Sequence, residues 1–547
     1  MNIAKLIQDR AGDSGIAIYY EDQVWTWKEF VQACAQRAAF LLDHHDKEPL
    51  HVGILMDNIP EFPMWAGATA VAGGVVVGLN STRKGDDLIQ NITHTDCQFL
   101  IIEKKYYEEL DGFDTGIRPE NILVVDSAEY PSSLAPYKDA ELPDREIKPE
   151  DIFMLVFTSG TSGAPKAVIC SHGRVASSSK ILSQMLNLTD EDVSYVVMPF
   201  FHSNPIILGW VPTLVTGGAM ALRRKFSASG FLPDIRKYNA TFFSYVGKPL
   251  SYILATPEKP DDADNPLVCC LGNEASDRDI DEFARRFDCH VTDAYGSTEG
   301  GASIARTSDM PKGSLGVAGE GTFVMNAVTE KECPRAKFDA SGKLLNADEA
   351  IGELVNQQAS FEGYWKNEEA NKVRMKGGIF RTGDLAYRDE QGYFYFAGRD
   401  IDWMRVDGEN LGASQVEAII LRRPEVEMAA VYAVPDPNVG DRVMATLKLK
   451  QGADFDCNDF IAFLKSQKDF GTKWAPSFIR LADQLPITPT NKIIKRQLQK
   501  DLWLTGDPVY WQKERTADYA LMSKDDVAEF EQEFQRCNRG GVLDRGL

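Results

Sequence analysis

An α/β fold is what this sequence predicts, and three observations predict it. Short β-prone apolar runs alternate with stretches whose apolar residues recur about every 3.6 positions, from Ala17 to Ala294. Several runs, such as Ile152–Phe157 and 267–271, are apolar at consecutive positions, as strands covered on both faces are. Strands separated by helices imply a parallel or mostly parallel sheet. At 547 residues the chain is also too long for one hydrophobic core, so two to four domains or subdomains are expected.

Taken in order, 17–20 and 24–27 read as two short strands around the polar turn Glu21-Asp22-Gln23, and 28–42 as a helix. A strand over 51–56, a helix over 61–72, a strand over 75–77 and a helix over 84–93 follow, then strands over 99–102 and 122–125. Residues 126–149 are polar and proline-bearing, a surface connection into the strand 152–157. Beyond it, 195–198, 241–246 and 267–271 read as buried strands, and each strand end is a potential site edge. The run 200–222 is the nearest approach to a membrane span, but Asn204, Pro205, Pro212 and three glycines break it, and a buried strand and helix are expected there. In the last third, helices over 413–422 and 458–466 with strands over 428–433 and 443–449 describe a compact α+β unit.

With 44% hydrophobic and 26% charged residues the composition is that of an ordinary globular protein, and a net charge of -22 argues against a nucleic-acid surface. The nine cysteines contain no Cys-x-x-Cys pair, which fits a reducing cytoplasm, mostly buried thiols and no zinc site. The first ten residues carry charges and no sustained apolar core, so neither a signal peptide nor an anchor is expected in them.

The strand 152–157 runs into Thr158-Ser159-Gly160-Thr161-Ser162-Gly163-Ala164-Pro165-Lys166. A buried strand opening into such a loop presents successive N–H groups and hydroxyls to one point, which suits a polyphosphate. It is not a Walker A motif, since Pro165 stands where that pattern wants glycine, nor is it Gly-x-Gly-x-x-Gly. Pro199-Phe200-Phe201-His202 closes the strand 195–198, and His202 taken alone is a core or surface histidine. The strand 267–271 opens into Gly272-Asn273-Glu274-Ala275. Tyr295-Gly296-Ser297-Thr298-Glu299 brings together a ring able to stack on a base and a carboxylate able to hold Mg²⁺ beside phosphates, as nucleotide chemistry needs.

Together these stretches carry a resemblance. Thr158 to Lys166, Pro199 to His202, Tyr295 to Glu299, Phe380-Arg381-Thr382-Gly383-Asp384, Gly398-Arg399 through Gly408, and Asn491-Lys492 resemble the motifs of the adenylate-forming enzymes in order and spacing. From about residue 25 to residue 500 the chain looks like an acyl-CoA synthetase. Pro165-Lys166-Ala167-Val168, Arg224-Lys225-Phe226-Ser227-Ala228-Ser229, Lys237-Tyr238-Asn239, Arg405-Val406-Asp407-Gly408-Glu409-Asn410 and Asp507-Pro508 resemble the fatty acid transport protein and very-long-chain acyl-CoA synthetase branch. That branch's N-terminal membrane segment is not found in this sequence.

The resemblance implies a large N-terminal domain of layered sheets and helices over 1–398, a hinge at 399–402, and a smaller mobile α+β lid over 403–547. It implies ATP, Mg²⁺ and coenzyme A as cofactor and co-substrates of a two-step reaction, in which a carboxylate is joined to the α-phosphate of ATP and the adenylate is then attacked by a thiol. Thr158 to Lys166 would hold the β- and γ-phosphates, Gly272, Asn273, Glu274, Tyr295, Gly296 and Ser297 would frame the nucleotide, and Thr298 would contact the α-phosphate. Glu299 would hold the metal, Asp384 and Arg399 would meet the ribose, and Lys492 would bridge carboxylate and α-phosphate. Gly408 would let the pantetheine pass, and His202 would gate the acid pocket. Two positions depart from the pattern, with Ile401 where relatives carry Asp or Lys at the pivot and Asn491 where they carry Gly before the lysine.

The segments expected to line the pocket, Phe200-Phe201-His202, Trp210, Phe242-Phe243-Ser244-Tyr245 and Gly272-Asn273, are aromatic and apolar, so a medium- or long-chain fatty acid or a bulky polycyclic acid is expected. Two alternatives stand beside this reading: a peripheral lipid-uptake or lipid-binding protein with weak ligase activity, and a ligase loading a carrier-protein thiol. The expected location is cytoplasmic, without nucleic acid; peripheral membrane contact and a homodimer are both compatible with the sequence.

Overall fold

The structure is a computed structural model that describes the chain apart from residues 159–165, 248, 308, 312, 340–343, 400–402, 407–408, 438–440, 468–469, 471–473, 488–492, 514–517 and 537–547. The chain divides into two compact units. The first holds 1–275, 279–301 and 359–378; the second holds 276–278, 302–358 and 379–547.

The first unit has thirteen strands that serve the site: β1 (Ile16–Tyr20), β2 (Gln23–Thr26), β3 (His51–Leu55), β4 (Val75–Gly78), β5 (Phe99–Ile102), β6 (Ile122–Val124), β7 (Ile152–Phe157), β8 (Ala167–Ser171), β9 (Val193–Val196), β10 (Ala219–Leu222), β11 (Phe242–Val246), β12 (Cys269–Asn273) and β13 (His290–Tyr295). They form two sheets rather than one. The first runs β6-β5-β3-β4-β7-β8 and is parallel but for the antiparallel β7–β8 pair, and the second runs β13-β12-β11-β9-β10-β1-β2 and is parallel but for the β1–β2 hairpin.

One core joins the two sheets. Val52 and Ile54 of β3, Met154 and Val156 of β7, Val196 of β9 and Met220 of β10 pack with Phe30, Trp65 and Trp210 from the helices between. The helix Glu61–Val71 is apolar all round, so it can lie only where every face is covered, and ten of its eleven residues are buried. The helix Trp27–His44 starts at a capping box legible in the sequence as Thr26-Trp27-Lys28-Glu29: the Glu29 N–H donates to Thr26 Oγ1 at 3.2 Å and the Thr26 N–H to Glu29 Oε2 at 2.8 Å. Its buried face carries Arg37, whose guanidinium forks onto Glu61 at 2.7–3.0 Å, while the Tyr130 hydroxyl donates to the same carboxylate. The outer face of the first sheet is closed by Leu88 and Ile92 of the helix Gly85–His94, and that of the second by Phe231, Phe283 and Phe287.

The run 200–222 resolves into a π-helix, Pro205–Trp210, then the helix Val211–Thr216 and β10. Gly209 lies against Val196, where a Cβ would be 2.7 Å from a valine methyl, so the π-helix packs tightly on β9.

The second unit begins with an antiparallel sheet of Thr322–Met325, Gly352–Asn356, Ile379–Arg388 and Phe394–Arg399. Its later part is the expected α+β unit: Val426–Pro435, Asp441–Leu449, Phe478–Leu481, Val509–Trp511 and Ala520–Leu521 form one sheet. The helices Ala413–Ile420 and Cys457–Ser466 cover one face, and Trp503 with Phe530 and Phe534 the other. Among the described residues no helix is long and apolar enough to cross a membrane.

Candidate functional site

Four strand ends of the first unit carry the residues singled out in the sequence. At β7 and β8 the phosphate-loop motif joins two antiparallel strands: Phe157 pairs with Ala167, and the Thr158 N–H donates to the Lys166 carbonyl at 3.1 Å. Ser159, Gly160, Thr161, Ser162, Gly163, Ala164 and Pro165 lie outside the described residues. After β9, Pro199 to His202 form a turn closed by the His202 N–H on the Pro199 carbonyl at 3.0 Å. Asn58, just past β3, fastens this turn to the first sheet, its amide donating to the Met198 carbonyl at 2.8 Å and accepting from the Phe200 N–H at 3.0 Å.

β12 ends in Gly272-Asn273, paired in parallel with Tyr245-Val246 of β11. The Tyr245 ring fills the space beside Gly272, and its hydroxyl donates to Asp293 at 3.1 Å, the carboxylate that also receives the Ala275 N–H at 3.0 Å. Glu274 follows at φ 68°, a left-handed conformation that turns the chain away from the strand. Asn273 Oδ1 is buried without a hydrogen-bond donor among the described residues, an acceptor that calls for one from a ligand or water.

β13 ends at Tyr295, and Gly296 beyond it is exposed, with nothing among the described residues within 4 Å of where a side chain would start. The next turn is held from several sides. Thr298 Oγ1 is 2.7 Å from Ser203 Oγ, next in sequence to His202, and the Thr298 carbonyl accepts from the Arg174 guanidinium. The Gly300 carbonyl accepts the Ser360 N–H at 3.0 Å and the Gly300 N–H donates to the Ser297 carbonyl at 3.0 Å. Gly300 has φ 66° and the Ser360 hydroxyl occupies the place of its missing side chain, so both conformation and contact require glycine. Glu299 Oε1 accepts from the Tyr364 hydroxyl at 3.2 Å, and that hydroxyl accepts from Arg374 Nε at 3.2 Å. Burial first, and then the Glu299 charge, push the Tyr364 phenol up to about 12, so it is a neutral donor at physiological pH.

The backbone around Tyr364 is itself tied to β8, the strand that follows Lys166. Segment 363–365 runs along β8, the Ile169 N–H donating to the Gly363 carbonyl at 2.9 Å and the Trp365 N–H to the Ala167 carbonyl at 2.8 Å. The strand that leaves the loop thus carries the group that holds Glu299. Thr298, Glu299, the turn bearing His202 and the strand from Lys166 are brought together through Ser203, Arg174 and Tyr364.

Asp384 belongs to the second unit. It is buried at 9% exposure in the strand Ile379–Arg388, paired in register with Arg399, and its N–H donates to Thr382 Oγ1 at 3.0 Å. Gly408 and Lys492 lie outside the described residues, as does Ile401, and Arg399 is placed by its backbone only.

The expectation that Trp210 and Phe200 line an acid pocket is not met. Trp210 is 1% exposed in the inter-sheet core, with Phe30 at 6.3 Å and Phe200 at 6.5 Å, and Phe200 stacks on Phe62 at 5.2 Å. Phe243 faces Tyr195 and Phe231, because alternate residues of β11 point to opposite sides of the sheet. Phe242 is on the other side, with Leu182, Leu208 and Leu271, the face that meets the π-helix. Arg174, Ser203, Tyr364 and Arg374 escaped the sequence reading; Ser203 adjoins His202, and Tyr364 sits in the aromatic Phe361-Glu362-Gly363-Tyr364-Trp365, which could have drawn notice.

The profile of the AMP-binding enzymes matches residues 8–365, and that of the AMP-binding enzyme C-terminal domain matches residues 415–492. The chain is 44% identical to a steroid-22-oyl-CoA synthetase of Rhodococcus jostii, over 99% of this chain and 98% of that protein. It is 47% identical to the medium/long-chain-fatty-acid–CoA ligase FadD17 of Mycobacterium marinum, over 91% of this chain and 95% of that one. Among solved structures, the anthranilate CoA ligase AuaEII in complex with anthranoyl-AMP shares the fold at a TM-score of 0.80 and 20% identity, covering 91% of this chain and 96% of that one.

Proposed function

The chain belongs to the AMP-binding enzyme family, and from that premise we propose how its residues divide the work of an ATP-dependent carboxylic acid:CoA ligase for hydrophobic acids. Such an acid–thiol ligase joins the acid to the α-phosphate of ATP with loss of pyrophosphate, and then transfers the acyl group to the thiol of CoA. The first step needs positioning and charge neutralisation more than covalent help from the protein.

The observation that carries the assignment of roles is the clamped turn 298–300, fastened both to the His202 turn and to the strand leaving the phosphate loop. In this reading Thr298 contacts the α-phosphate, and Thr158 to Lys166 hold the β- and γ-phosphates. The nucleotide fits at the ends of β12 and β13: the buried acceptor Asn273 Oδ1 can take an exocyclic amine, Tyr295 offers a ring face, and the open space at Gly296 admits a base. Glu299 fits a hard cation, since Oε1 is engaged by Tyr364 and Oε2 takes no hydrogen bond among the described residues. Mg²⁺ bound there would neutralise phosphate charge. Asp384 and Arg399 meet the ribose, Lys492 bridges carboxylate and α-phosphate, and the lid 403–547 turns about 399–402 to bring Gly408 to the pantetheine.

The acid binds beside the turn Pro199 to His202, with His202 as a gate and an apolar lining for its hydrocarbon. The preferred substrate is a medium- or long-chain fatty acid or a bulky polycyclic acid, used in the cytoplasm. Each CH₂ buried in such a lining contributes about 0.8 kcal/mol, so activity climbs steeply with apolar area. Pyrophosphate release is measured at fixed ATP and CoA across acids from acetate to a C18 chain, with a polycyclic side-chain acid included. The expected order favours the large apolar acids by orders of magnitude in kcat/KM. Greatest activity with acetate, propionate or a dicarboxylate would refute the pocket assignment.

A further inference from the structure

Arg374, Tyr364 and Glu299 form a line of hydrogen bonds whose direction is fixed by chemistry. A guanidinium can only donate and an ionised carboxylate can only accept, so the single phenolic proton of Tyr364 must point to Glu299 while the phenol oxygen receives Arg374 Nε, both at 3.2 Å. Tyr364 is 2% exposed, its ring stacked edge-on to Phe361 at 5.1 Å, and its backbone neighbours Gly363 and Trp365 are bonded to β8. The hydroxyl therefore has one place to be, set by the sheet. It occupies Oε1 of Glu299 and leaves Oε2 as the oxygen available to a cation, while Arg374 polarises the phenol from behind and strengthens its grip.

We infer that Arg374 and Tyr364 are positioning residues for the metal–nucleotide complex, a relay that holds Glu299 in a one-oxygen binding pose. This rests on the assignment of Glu299 as the metal-binding carboxylate. Partners that orient a metal-binding side chain typically change metal affinity or activity by 10–100-fold when removed. The relay adds no charge at the metal, because the phenol separates the Arg374 cation from the carboxylate and Tyr364 stays protonated.

Tyr364→Phe removes the hydroxyl and keeps the ring, and Arg374→Met removes the polarising donor while Arg374→Lys restores one. Mn²⁺ binding is titrated by electron paramagnetic resonance in the presence of α,β-methylene-ATP, which binds without turnover. In parallel, Mg²⁺-dependent ATP–pyrophosphate exchange is compared with thiolation of CoA by a supplied acyl adenylate, a step in which no pyrophosphate charge has to be neutralised. Tyr364→Phe is expected to weaken Mn²⁺ about tenfold or more and to raise the Mg²⁺ requirement of exchange equally, with thiolation and the urea midpoint unchanged. Arg374→Met should weaken Mn²⁺ severalfold, and Arg374→Lys should recover most of that loss. Mn²⁺ affinity within twofold of wild type in Tyr364→Phe, or equal losses in both half-reactions, overturns the relay and leaves the ligase assignment standing. A wild-type protein without Mg²⁺-dependent exchange for any hydrophobic acid overturns both.

Discussion

Replacing Gly272 by alanine adds a single methyl group where β12 opens into the nucleotide end of the site. Built on the observed backbone, the new Cβ lies 2.5 Å from Cδ2 and Cε2 of the Tyr245 ring and closer still to the Tyr245 carbonyl oxygen. Ordinary contact begins near 3.5 Å, so about 1 Å must be found. The ring could tilt only by giving up its 3.1 Å bond to Asp293, and the carbonyl belongs to the neighbouring strand in register with Gly272, so it yields only if β11 and β12 part. Overpacking of this kind costs about 1–3 kcal/mol and loss of the buried Tyr245–Asp293 bond about 1–3 kcal/mol, giving roughly 2–6 kcal/mol in all. The urea midpoint should fall accordingly, and ATP affinity with it, since Asn273 moves with the strand end. A Gly272→Ala protein with wild-type midpoint and wild-type ATP affinity would show that the strand end is soft and that Tyr245 does not set its shape.

Further perturbations test other parts of the structure. Lys492→Ala should abolish adenylation yet leave thiolation from a supplied acyl adenylate largely intact; equal loss of both would remove Lys492 from its proposed role. His172, fully buried beside Phe153 with neither ring nitrogen partnered among the described residues, is pushed down from 6.5 to about 4 by burial. The unfolded chain therefore binds the proton more readily, and stability present above pH 6.5 is lost as pH falls toward 4. His172→Leu should lose less stability than wild type between pH 7 and pH 4, by about 3 kcal/mol, in urea titrations at each pH. Arg37→Met strips a forked partner from Glu61 in the inter-sheet core and should cost about 3–5 kcal/mol by chemical denaturation, with part recovered in the double variant that also carries Glu61→Gln.

The elements were legible where one local signal decided them. The run Ile152–Phe157 could be little else than a covered strand, and the spacing over 61–72 announced the helix Glu61–Val71. The sorting of strands into two sheets was not legible, because β1 finds its parallel neighbour in β10, about two hundred residues away, and no local pattern records that pairing. Hydropathy also could not say which buried cluster an apolar side chain joins: Trp210 and Phe242 look alike in sequence, yet one lies in the inter-sheet core and the other in the cluster beneath the π-helix. The π-helix itself has no distinct sequence signal. In the site, Thr298 and Glu299 were visible because they are consecutive, whereas Arg174, Ser203, Tyr364 and Arg374 reach the same turn from separate elements, through contacts that only the folded chain creates.

The antiparallel join between β7 and β8 separates two demands that a glycine-rich loop usually has to meet at once. Pairing of Phe157 with Ala167 and the bond from Thr158 to Lys166 complete the ladder before residue 159 and resume it after residue 165. Residues 157 and 158 on one side and 166 and 167 on the other are therefore held by the ladder itself. Joining two ends that the ladder already holds costs a closure entropy that grows only as the logarithm of the connection's length, about 0.6 kcal/mol for a doubling. A change in the length of that connection is therefore expected to weigh little on folding, whereas a change that breaks the Phe157–Ala167 pairing weighs on it directly.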